Sequence, residues 1–505
     1  MNHWIVVPVV LPALVAAIMT LAMHRNPALQ RVFSLASVAV LLAVAIGLTV
    51  QAASGAIGVY ELGDWPAPFG IVLVLDRLSA LMVLVTAVLA GLVLLYAIGT
   101  GWDQRGQNFH ALYQFQLMGI FGAFLTGDAF NLFVFFEVLL IASYGLMIHA
   151  GGRRRLKAGV QYVIYNLLGS TLFLFALGTL YAVTGTLNMA DLAQRAAEIP
   201  AGDSALLRVG AMLLFLVFAI KAALLPLHFW LPETYASAPA PVAALFAVMT
   251  KVGAYAILRM YTLVFGPDVG ATADLIDQIL LYAALLTLAI GMIGILGAKG
   301  LGRLAAFATI ASLGTVLIAI SGFNEATTAA AIYYMLHSTL AGALLFLVVD
   351  MVRERRGTDT LVPGMRMPQH GLVTSLYFGA AIAVAGLPPL SGFIGKLLIL
   401  DAVRGLDAVW LIWAVMLGTS LLAVLGLGQA GSTVFWKPLP DEDARPRPAR
   451  TTTLPVALPM VAACAMLGAI VALSLLAGPV MRYVEAAAAQ LHAPGDYIAA
   501  VLNTR

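Results

Sequence analysis

The chain has 505 residues, of which 62% are apolar and only 10% carry a charged side chain. With a mean hydropathy of +0.98, this composition excludes a water-soluble globular protein, in which about a quarter of the residues would be charged. The 27 basic and 24 acidic residues nearly cancel, so net charge says little about partners. A single cysteine, Cys464, excludes an intrachain disulfide and a thiolate metal cluster. We expect an all-α polytopic membrane protein without a soluble catalytic domain or a nucleic-acid partner.

Hydropathy windows of about 19 residues predict about fourteen transmembrane helices. No Lys or Arg precedes the first apolar run, so we interpret it as a permanent helix rather than a cleaved signal. In chain order, these predicted spans 1 to 14 cover residues 3–23, 32–52, 71–97, 109–126, 128–149, 159–184, 205–226, 238–265, 275–297, 301–321, 326–352, 372–404, 407–433 and 456–477.

Lysine and arginine are unevenly distributed over the predicted connections. With the N-terminus outside, seventeen of these residues lie in inside connections and five in outside connections. Cytoplasmic connections of membrane proteins carry the excess of positive charge. The distribution therefore predicts that both chain termini are extracytoplasmic.

Two of the predicted spans contain helix-breaking residues. Span 12, residues 372–404, is 33 residues long, which is too long for one straight helix across a core of about 30 Å. It contains a Gly-Leu-Pro-Pro sequence that starts at Gly386, and span 7 runs into a segment with four prolines that starts at Pro226. Irregular backbone is tolerated at membrane depth only where it is buried in protein or lines a hydrated cavity. We therefore expect broken helices at spans 7 and 12.

The two breaks lie five spans apart, which is an odd number, so the segments that carry them run in opposite directions. This arrangement is typical of inverted-topology repeats. We expect spans 4–8 to match spans 9–13. The predicted regions are the N-terminal spans in residues 1–108, the first repeat in 109–265, the second in 266–433, and a cytoplasmic loop, span 14 and the C-terminus in 434–505.

Four of the charged side chains inside the predicted spans lie near mid-depth or beside a break. Glu137 and Lys251 lie near mid-depth, and Lys221 and Lys396 lie beside the two breaks. Each would cost about 2.5 to 3.5 kcal/mol if it faced lipid, so we expect all four to face a polar interior. A single lysine has the alternative of reaching the interface or of binding the carbonyls of a broken helix. The set as a whole favours an ion pathway.

Other polar residues in or beside the spans have both functional and structural interpretations. His337, at mid-span, is predicted to relay protons between lysines, and the alternative is a structural histidine bonded to a carbonyl. His228, just after Pro226, is a candidate for proton uptake. Asp76 and Arg77 are interpreted as a local structural pair at the start of span 3. Arg259 is interpreted as a helix-end residue, with a place in the pathway as the alternative.

Three segments resemble a known superfamily: FEVLLIASYGL, IKAALLPLHFWLPETYASAPAPVAALFAVMTKVGAYA and GLPPLSGFIGKLLIL. They are similar to the antiporter-like subunits shared by Mrp cation/proton antiporters and respiratory complex I, and the resemblance covers nearly the whole chain. Within that superfamily, the length, the start NHWIVVPVVLPALVAAI and the segment HSTLAGALLFL are most similar to the D subunits of Mrp-type antiporters.

The resemblance implies a component of a complex in the bacterial inner membrane that exchanges Na⁺ or another monovalent cation for H⁺. The implied partners are subunits of the A, B, C, E, F and G types, and no cofactor is implied. Two positions differ from complex I relatives: Ala341 stands where a lysine is often found, and Lys396 stands where one paralogue has glutamate. The family's key residues fall on Glu137, Lys221, Lys251, Lys396 and His337.

The resulting hypothesis is a proton path through this chain. Protons enter near the break in span 7, pass Lys221, Lys251 and His337 through water, and leave by Lys396, while Glu137 acts electrostatically on Lys221. No metal site is predicted, because a hard cation needs several oxygen ligands, although a Na⁺ position near Glu137 stays open.

Two alternatives to the antiporter component remain. The first is a proton-pumping membrane-arm subunit of a redox complex of the complex I or membrane hydrogenase type. The second is a passive scaffold or a membrane-embedded enzyme, against which we weigh the buried charges and the lack of a nucleophile or metal motif. The proline-rich charged segment 436–455 is interpreted as a solvated linker, with a docking surface as the alternative.

Overall fold

The computed structural model describes residues 3–266, 269–273, 275–364, 366–437 and 457–502. The charged segment predicted as a linker lies almost entirely outside these residues. Within them, the chain forms nineteen α-helices and one β-hairpin. The helices are α1 Val7–Ala22, α2 Pro27–Ala53, α3 Arg77–Gly99, α4 Phe109–Leu125, α5 Ala129–Met147, α6 Arg153–Thr184, α7 Met189–Glu198, α8 Ala205–Lys221, α9 Leu231–Ser237, α10 Ala240–Leu263, α11 Asp277–Gly297, α12 Leu301–Ile320, α13 Glu325–Arg356, α14 His370–Ala385, α15 Ser391–Ala402, α16 Val409–Gly431, α17 Ala457–Leu475, α18 Ala477–Leu491 and α19 Pro494–Leu502.

Ten helices of the described residues are long and apolar enough to cross a membrane, namely α2, α3, α5, α6, α10, α11, α12, α13, α16 and α17. Two shorter helices, α1 and α14, are apolar as well. The prediction of a helical membrane protein is therefore confirmed, since the long apolar runs satisfy their backbone groups within helices, as the lipid interior requires.

Both predicted helix interruptions are present. Helix α8 ends at Lys221, an irregular segment follows, and α9 begins at Leu231. Helix α14 ends at Ala385 and α15 begins at Ser391. Gly386 has a φ of 75°, a left-handed conformation in which glycine is not strained, and the prolines that follow cannot donate to a preceding turn. The breaks thus follow directly from the local sequence.

The start of predicted span 3 differs from the expectation of a continuous helix over residues 71–97. Residues Val72–Leu75 form a β-strand that pairs antiparallel with Gly58–Glu61. Helix α3 begins only at Arg77, because the Asp76 carboxylate accepts a hydrogen bond from the backbone of Ser79 at 2.8 Å in a capping box. The strand pairing and the capping box therefore override the apolar pattern at the start of this span, and the helix begins later than the pattern predicts.

The described chain after span 14 is helical. Helix α18 packs beside the start of α3, where the Gln490 side chain accepts from the backbone of Arg77 at 3.1 Å and the Tyr483 hydroxyl donates to the Arg77 carbonyl at 3.1 Å. Near the N-terminus, a Cβ built at Gly58 would lie 3.0 Å from Ile5, and Gly58 pairs with Leu75. The two ends of the described chain therefore meet at one end of the helix bundle.

Two helix pairs pack unusually closely through glycines. A Cβ at Gly119 of α4 would lie 2.6 Å from the backbone nitrogen of Leu139 in α5. A Cβ at Gly291 of α11 would lie 2.5 Å from the backbone nitrogen of Ala311 in α12. Such distances are below any real Cβ contact, so these backbones approach as only small residues allow.

Candidate functional site

The centre of the bundle is α10, all of whose residues are buried. Lys251 in this helix has no solvent-exposed surface, and its ammonium donates to the Ser312 hydroxyl of α12 at 3.3 Å. Ser312 in turn donates to the carbonyl of Thr309 at 2.8 Å. The ammonium at the centre of the molecule is thus held by a neutral oxygen.

A small cavity lies beside this pair. Its lining includes the polar side chains of Thr309, Ser312, Tyr334, His337 and Ser338. The volume open to the centre of a water molecule is about 20 Å³, which is room for about one water molecule with polar partners. The cavity connects the hydroxyl that binds Lys251 with the imidazole of His337.

His337 of α13 is buried and hydrogen-bonded across the second helix break. Its Nδ1 lies 2.8 Å from the hydroxyl of Ser391, the first residue of α15. The ring also has a backbone hydrogen bond to Ala383, as the structural alternative expects, while the partner at Nδ1 is a hydroxyl, which can both donate and accept. A Cβ at Gly392 would lie 2.8 Å from Nε2 of His337, so a glycine is needed for this close approach.

Lys396 lies on the far side of the same break. Its ammonium donates to the carbonyl of Ala385 at 2.7 Å and to the Ser420 hydroxyl at 3.0 Å. Ala385 is the last residue of α14, where the helix dipole presents partial negative charge. The break therefore supplies the electrostatic partner of this buried cation, in place of a carboxylate.

Lys221 and Glu137 are joined through α6. The Lys221 ammonium donates to the side-chain oxygen of Asn166 at 3.0 Å, and the Ser170 hydroxyl, one turn further along α6, donates to the Glu137 carboxylate. Among the ion pairs of the described residues, none joins Lys221 directly to Glu137. The expected electrostatic influence must therefore act across α6 rather than by contact.

Glu137 does not face the interior as fully as predicted. The three lysines and His337 are buried, but Glu137 is only half-buried. Its neighbours one turn before and after on α5, Val134 and Ile141, are 37% and 64% exposed. Glu137 therefore lies at the edge of the outward face of α5, which hydropathy alone could not distinguish from an inward one.

His228 is buried in the irregular segment between α8 and α9. Its ring packs against Phe229 at a centroid distance of 4.5 Å, and its Nδ1 has no hydrogen-bond partner among the described residues. The structure does not join it to Lys221 by a hydrogen bond between described residues, so its predicted part in proton uptake rests on position only.

The interpretation of Asp76 and Arg77 as a local pair is wrong. Asp76 forms its ion pair with Arg259 of α10, at 2.6 Å. The guanidinium of Arg77 instead donates to the carbonyls of Ala53 at 3.1 Å and Ala486 at 3.3 Å. The true partner of Asp76 is remote in sequence, so the pairing could not be inferred from neighbouring residues.

Sequence reasoning missed the buried carboxylate of Asp350, near the end of α13. One of its oxygens accepts from Tyr96 at 3.0 Å and from the indole of Trp102 at 2.9 Å, and the other has no partner in the described part of the chain. Its position in the sequence could have indicated it, because Asp350 is an acidic residue inside a long apolar run, before the arginines that end the helix.

A further buried acid, Asp103, lies outside the membrane-spanning helices, in the turn between α3 and α4. It accepts from Arg31 at 2.5 and 3.0 Å, and Nε2 of His110 lies 3.2 Å away. Burial favours the neutral acid, but the hydrogen bonds from His110 and Arg31 outweigh it and hold the pKa of Asp103 below its usual value.

Residues 126–422 match the sequence profile of the family described as NADH:quinone oxidoreductase/Mrp antiporter, TM. A relative from Rhizobium meliloti (strain 1021), named as a probable K(+)/H(+) antiporter subunit of the D type, is 38% identical over 538 aligned residues that cover 100% of this chain and 98% of the relative. The D-type Na(+)/H(+) antiporter subunit of Bacillus subtilis (strain 168) is 38% identical over 511 residues that cover 100% of both chains.

The fold agrees with these similarities. A chain in the solved structure of the Mrp complex from Dietzia sp. DQ12-45-1b superposes with a TM-score of 0.89 at 29% identity, and the match covers 99% of this chain and 100% of that chain. The predicted resemblance is thereby confirmed: this chain belongs to the NADH:quinone oxidoreductase/Mrp antiporter family of transmembrane subunits.

Proposed function

We propose that this chain is the proton-translocating D-type subunit of a multi-subunit antiporter that exchanges protons for Na⁺ or K⁺ in a bacterial inner membrane. The observation that carries the proposal is the central row of buried groups. Lys251 binds Ser312 at 3.3 Å, Ser312 and His337 line one cavity, and His337 binds Ser391 at 2.8 Å. A scaffold would gain nothing from keeping such groups in a membrane.

The proton path follows these contacts. Lys221 at the first break and Lys396 at the second flank the central row, and each ammonium donates to neutral oxygens. A proton on such an amine is not locked in an ion pair, so it can pass to water or a hydroxyl. His337 has two ring nitrogens and relays protons between the cavity and Ser391. His228 lies near the uptake side, and Glu137 acts on Lys221 through α6.

The topology that suits this path has fourteen spans. The ten long apolar helices are joined by α1, α4, the broken pair α8 and α9, and the broken pair α14 and α15. Residues 109–265 and 266–433 then form the two inverted repeats. Their glycine packing supports this, because Gly119 against Leu139 and Gly122 against Phe135 recur 172 residues later as Gly291 against Ala311 and Gly294 against Phe307.

The same offset of 172 residues places Thr309 at the position equivalent to Glu137. The second repeat therefore keeps a hydroxyl, which lines the cavity, where the first keeps a carboxylate. With so few carboxylate oxygens near the path, we place coordination of the metal cation in partner subunits of the A, B, C, E, F or G type, or at their contact with this chain near Glu137.

Exchange in inside-out vesicles tests the proposal. The vesicles contain the chain with its partner subunits, a pH gradient is built by respiration, and its collapse is followed on addition of Na⁺ or K⁺. Lys251→Ala and Glu137→Ala should each abolish the collapse, whereas Lys157→Ala, at an exposed position of α6, should leave it intact. Normal exchange in both assembled variants would end the proposal.

The redox alternative makes a different prediction for the same preparation. If the chain belonged to an electron-driven pump, the purified complex would carry flavin or iron–sulfur absorbance, and proton movement would require an electron donor. Full-length similarity to antiporter D subunits supports the antiporter, for which the complex lacks such absorbance and responds to the cation alone.

A further inference from the structure

Three polar residues of α10 form a line that runs from the central site toward one end of the bundle. Lys251, Tyr255 and Arg259 are spaced four residues apart and are all buried, so they lie one above the other on nearly the same face of the helix. The proton path proposed above uses only the first of them.

Arg259 at the end of this line has a defined orientation. Its Nη1 binds the Asp76 carboxylate at 2.6 Å, while its Nε donates to the Tyr255 hydroxyl at 3.3 Å. The Tyr255 hydroxyl donates onward to the carbonyl of Phe124 at 2.7 Å, and the ring of Tyr497 lies 5.5 Å from the guanidinium. The guanidinium thus stands between the carboxylate and the tyrosine, so the positive end of the ion pair faces Lys251.

A merely structural link between α3 and α10 does not require this arrangement. Replacing a buried ion pair with apolar residues of similar volume is often neutral or stabilising. A fixed arginine in a narrow polar passage, by contrast, repels cations and protons. The polar line would otherwise offer protons on Lys251 a second way out, past Tyr255 toward the buried Asp76.

We propose that Arg259 is an electrostatic barrier. It stops protons on Lys251 from leaking along the polar line past Tyr255, and so directs them to Lys396. This inference rests on the proposed function. Arg259 lies eight residues from Lys251, about 12 Å along the helix. A unit charge at that distance, in a medium of effective dielectric constant about 20, changes the proton occupancy of a second ionisable site about tenfold. Arg259→Gln makes a change of this size, because it leaves the Asp76 carboxylate unpaired.

The test compares passive proton conductance with exchange in the same vesicles of the complete complex. A pH gradient is imposed without Na⁺ or K⁺, and its decay is timed before the cation is added. Arg259→Gln should speed the passive decay by about tenfold, and Arg259→Lys, which keeps the charge, should remain tight. Asp76→Asn is the matched control, because it breaks the same ion pair but leaves the cation in place, and it should also remain tight.

A double variant keeps the test informative if a lone buried charge prevents assembly. Arg259→Gln with Asp76→Asn removes both charges, so neither is left uncompensated, and without an unpaired carboxylate to attract protons it should leak more than the unmodified complex but less than Arg259→Gln. A tight double variant, or equal leaks in Asp76→Asn and Arg259→Gln, would overturn the barrier. Absence of cation-driven exchange in the unmodified complex would instead overturn the proposed function.

Discussion

At the scale of single residues, the bond between His337 and Ser391 is the most direct link between the central cavity and the second break. Nδ1 lies 2.8 Å from the hydroxyl, so Ser391→Ala removes one of the hydrogen bonds that orient the ring. We expect exchange to slow about three- to tenfold, as for loss of a hydrogen bond of about 1 kcal/mol, with a shifted pH profile. Rates across a pH series measure both effects.

The control for this change is Ser375→Ala. The Ser375 hydroxyl donates to the carbonyl of Gly371 in its own helix, at an exposed position. Its rate and pH profile should match those of the unmodified complex. An unchanged profile in Ser391→Ala would show that His337 does not exchange protons with α15.

Asp103 belongs to the pH dependence of stability rather than to transport. Because its pKa is lowered in the folded chain, its bonds to Arg31 and His110 stabilise the fold above the unfolded pKa of about 4. This contribution is lost as pH falls through the lowered value. Asp103→Asn should therefore reduce stability at pH 7 by roughly 1 kcal/mol, a modest value since Arg31 is partly exposed.

Thermal unfolding of the detergent-purified complex at a series of pH values checks this difference. The gap between the variant and the unmodified protein should be largest near neutral pH and should narrow only below about pH 4. A gap that stays constant down to about pH 3 would mean that Asp103 acts through shape and not through its charge.

Residue identity alone predicted that the three lysines and His337 are buried in the protein, but not which side chains form hydrogen bonds with them. Each buried lysine stands out in an apolar run, so the cost of burying it could be read from the sequence. The partners could not, because Asn166, Ser312 and Ser420 are ordinary polar residues that become hydrogen-bond acceptors for lysine only when helices distant in sequence pack together. The pairing of Asp76 with Arg259 was missed for the same reason.

At the scale of elements, the second helix break depends on a glycine beside the histidine. A Cβ at Gly392 would lie 2.8 Å from Nε2 of His337 and would also collide with the carbonyl of Ala383. We expect Gly392→Ala to displace α15 from α13 and to abolish most exchange. Gly418→Ala, in α16 with nothing within 4 Å of the added Cβ, should behave as unmodified protein, and the two are compared in inside-out vesicles after assembly is verified.

The breaks were predictable because proline and glycine act locally, whereas helix faces were not. Gly386 and the prolines after it end α14 without help from tertiary contacts. Whether Glu137 points inward depends on where α6 packs, and α5 is apolar on every face. Amphipathic periodicity therefore gives no direction there, which is why Glu137 is more exposed than expected.

At the scale of the whole molecule, the positions of the two chain ends bear on the membrane orientation, which stays a prediction. Helix α18 contacts Arg77 at the start of α3, and Ile5 lies against the hairpin that leads into α3. Both ends of the described chain therefore lie at one end of the bundle. The opposite end carries Arg31, Arg105 and Arg353, each in an ion pair, and an excess of arginine marks the cytoplasmic side.

This combination predicts that a reporter at either terminus reads as extracytoplasmic. Alkaline phosphatase, which is active only outside the cytoplasm, should be active when fused after residue 502, and green fluorescent protein at the same place should stay dark. A fusion within the connection between α6 and α7 should behave like the terminal one, while a fusion between α5 and α6 should reverse both signals. Opposite signals at the two termini would require an odd number of spans, which would contradict the fourteen-span topology on which the proposed proton path is built.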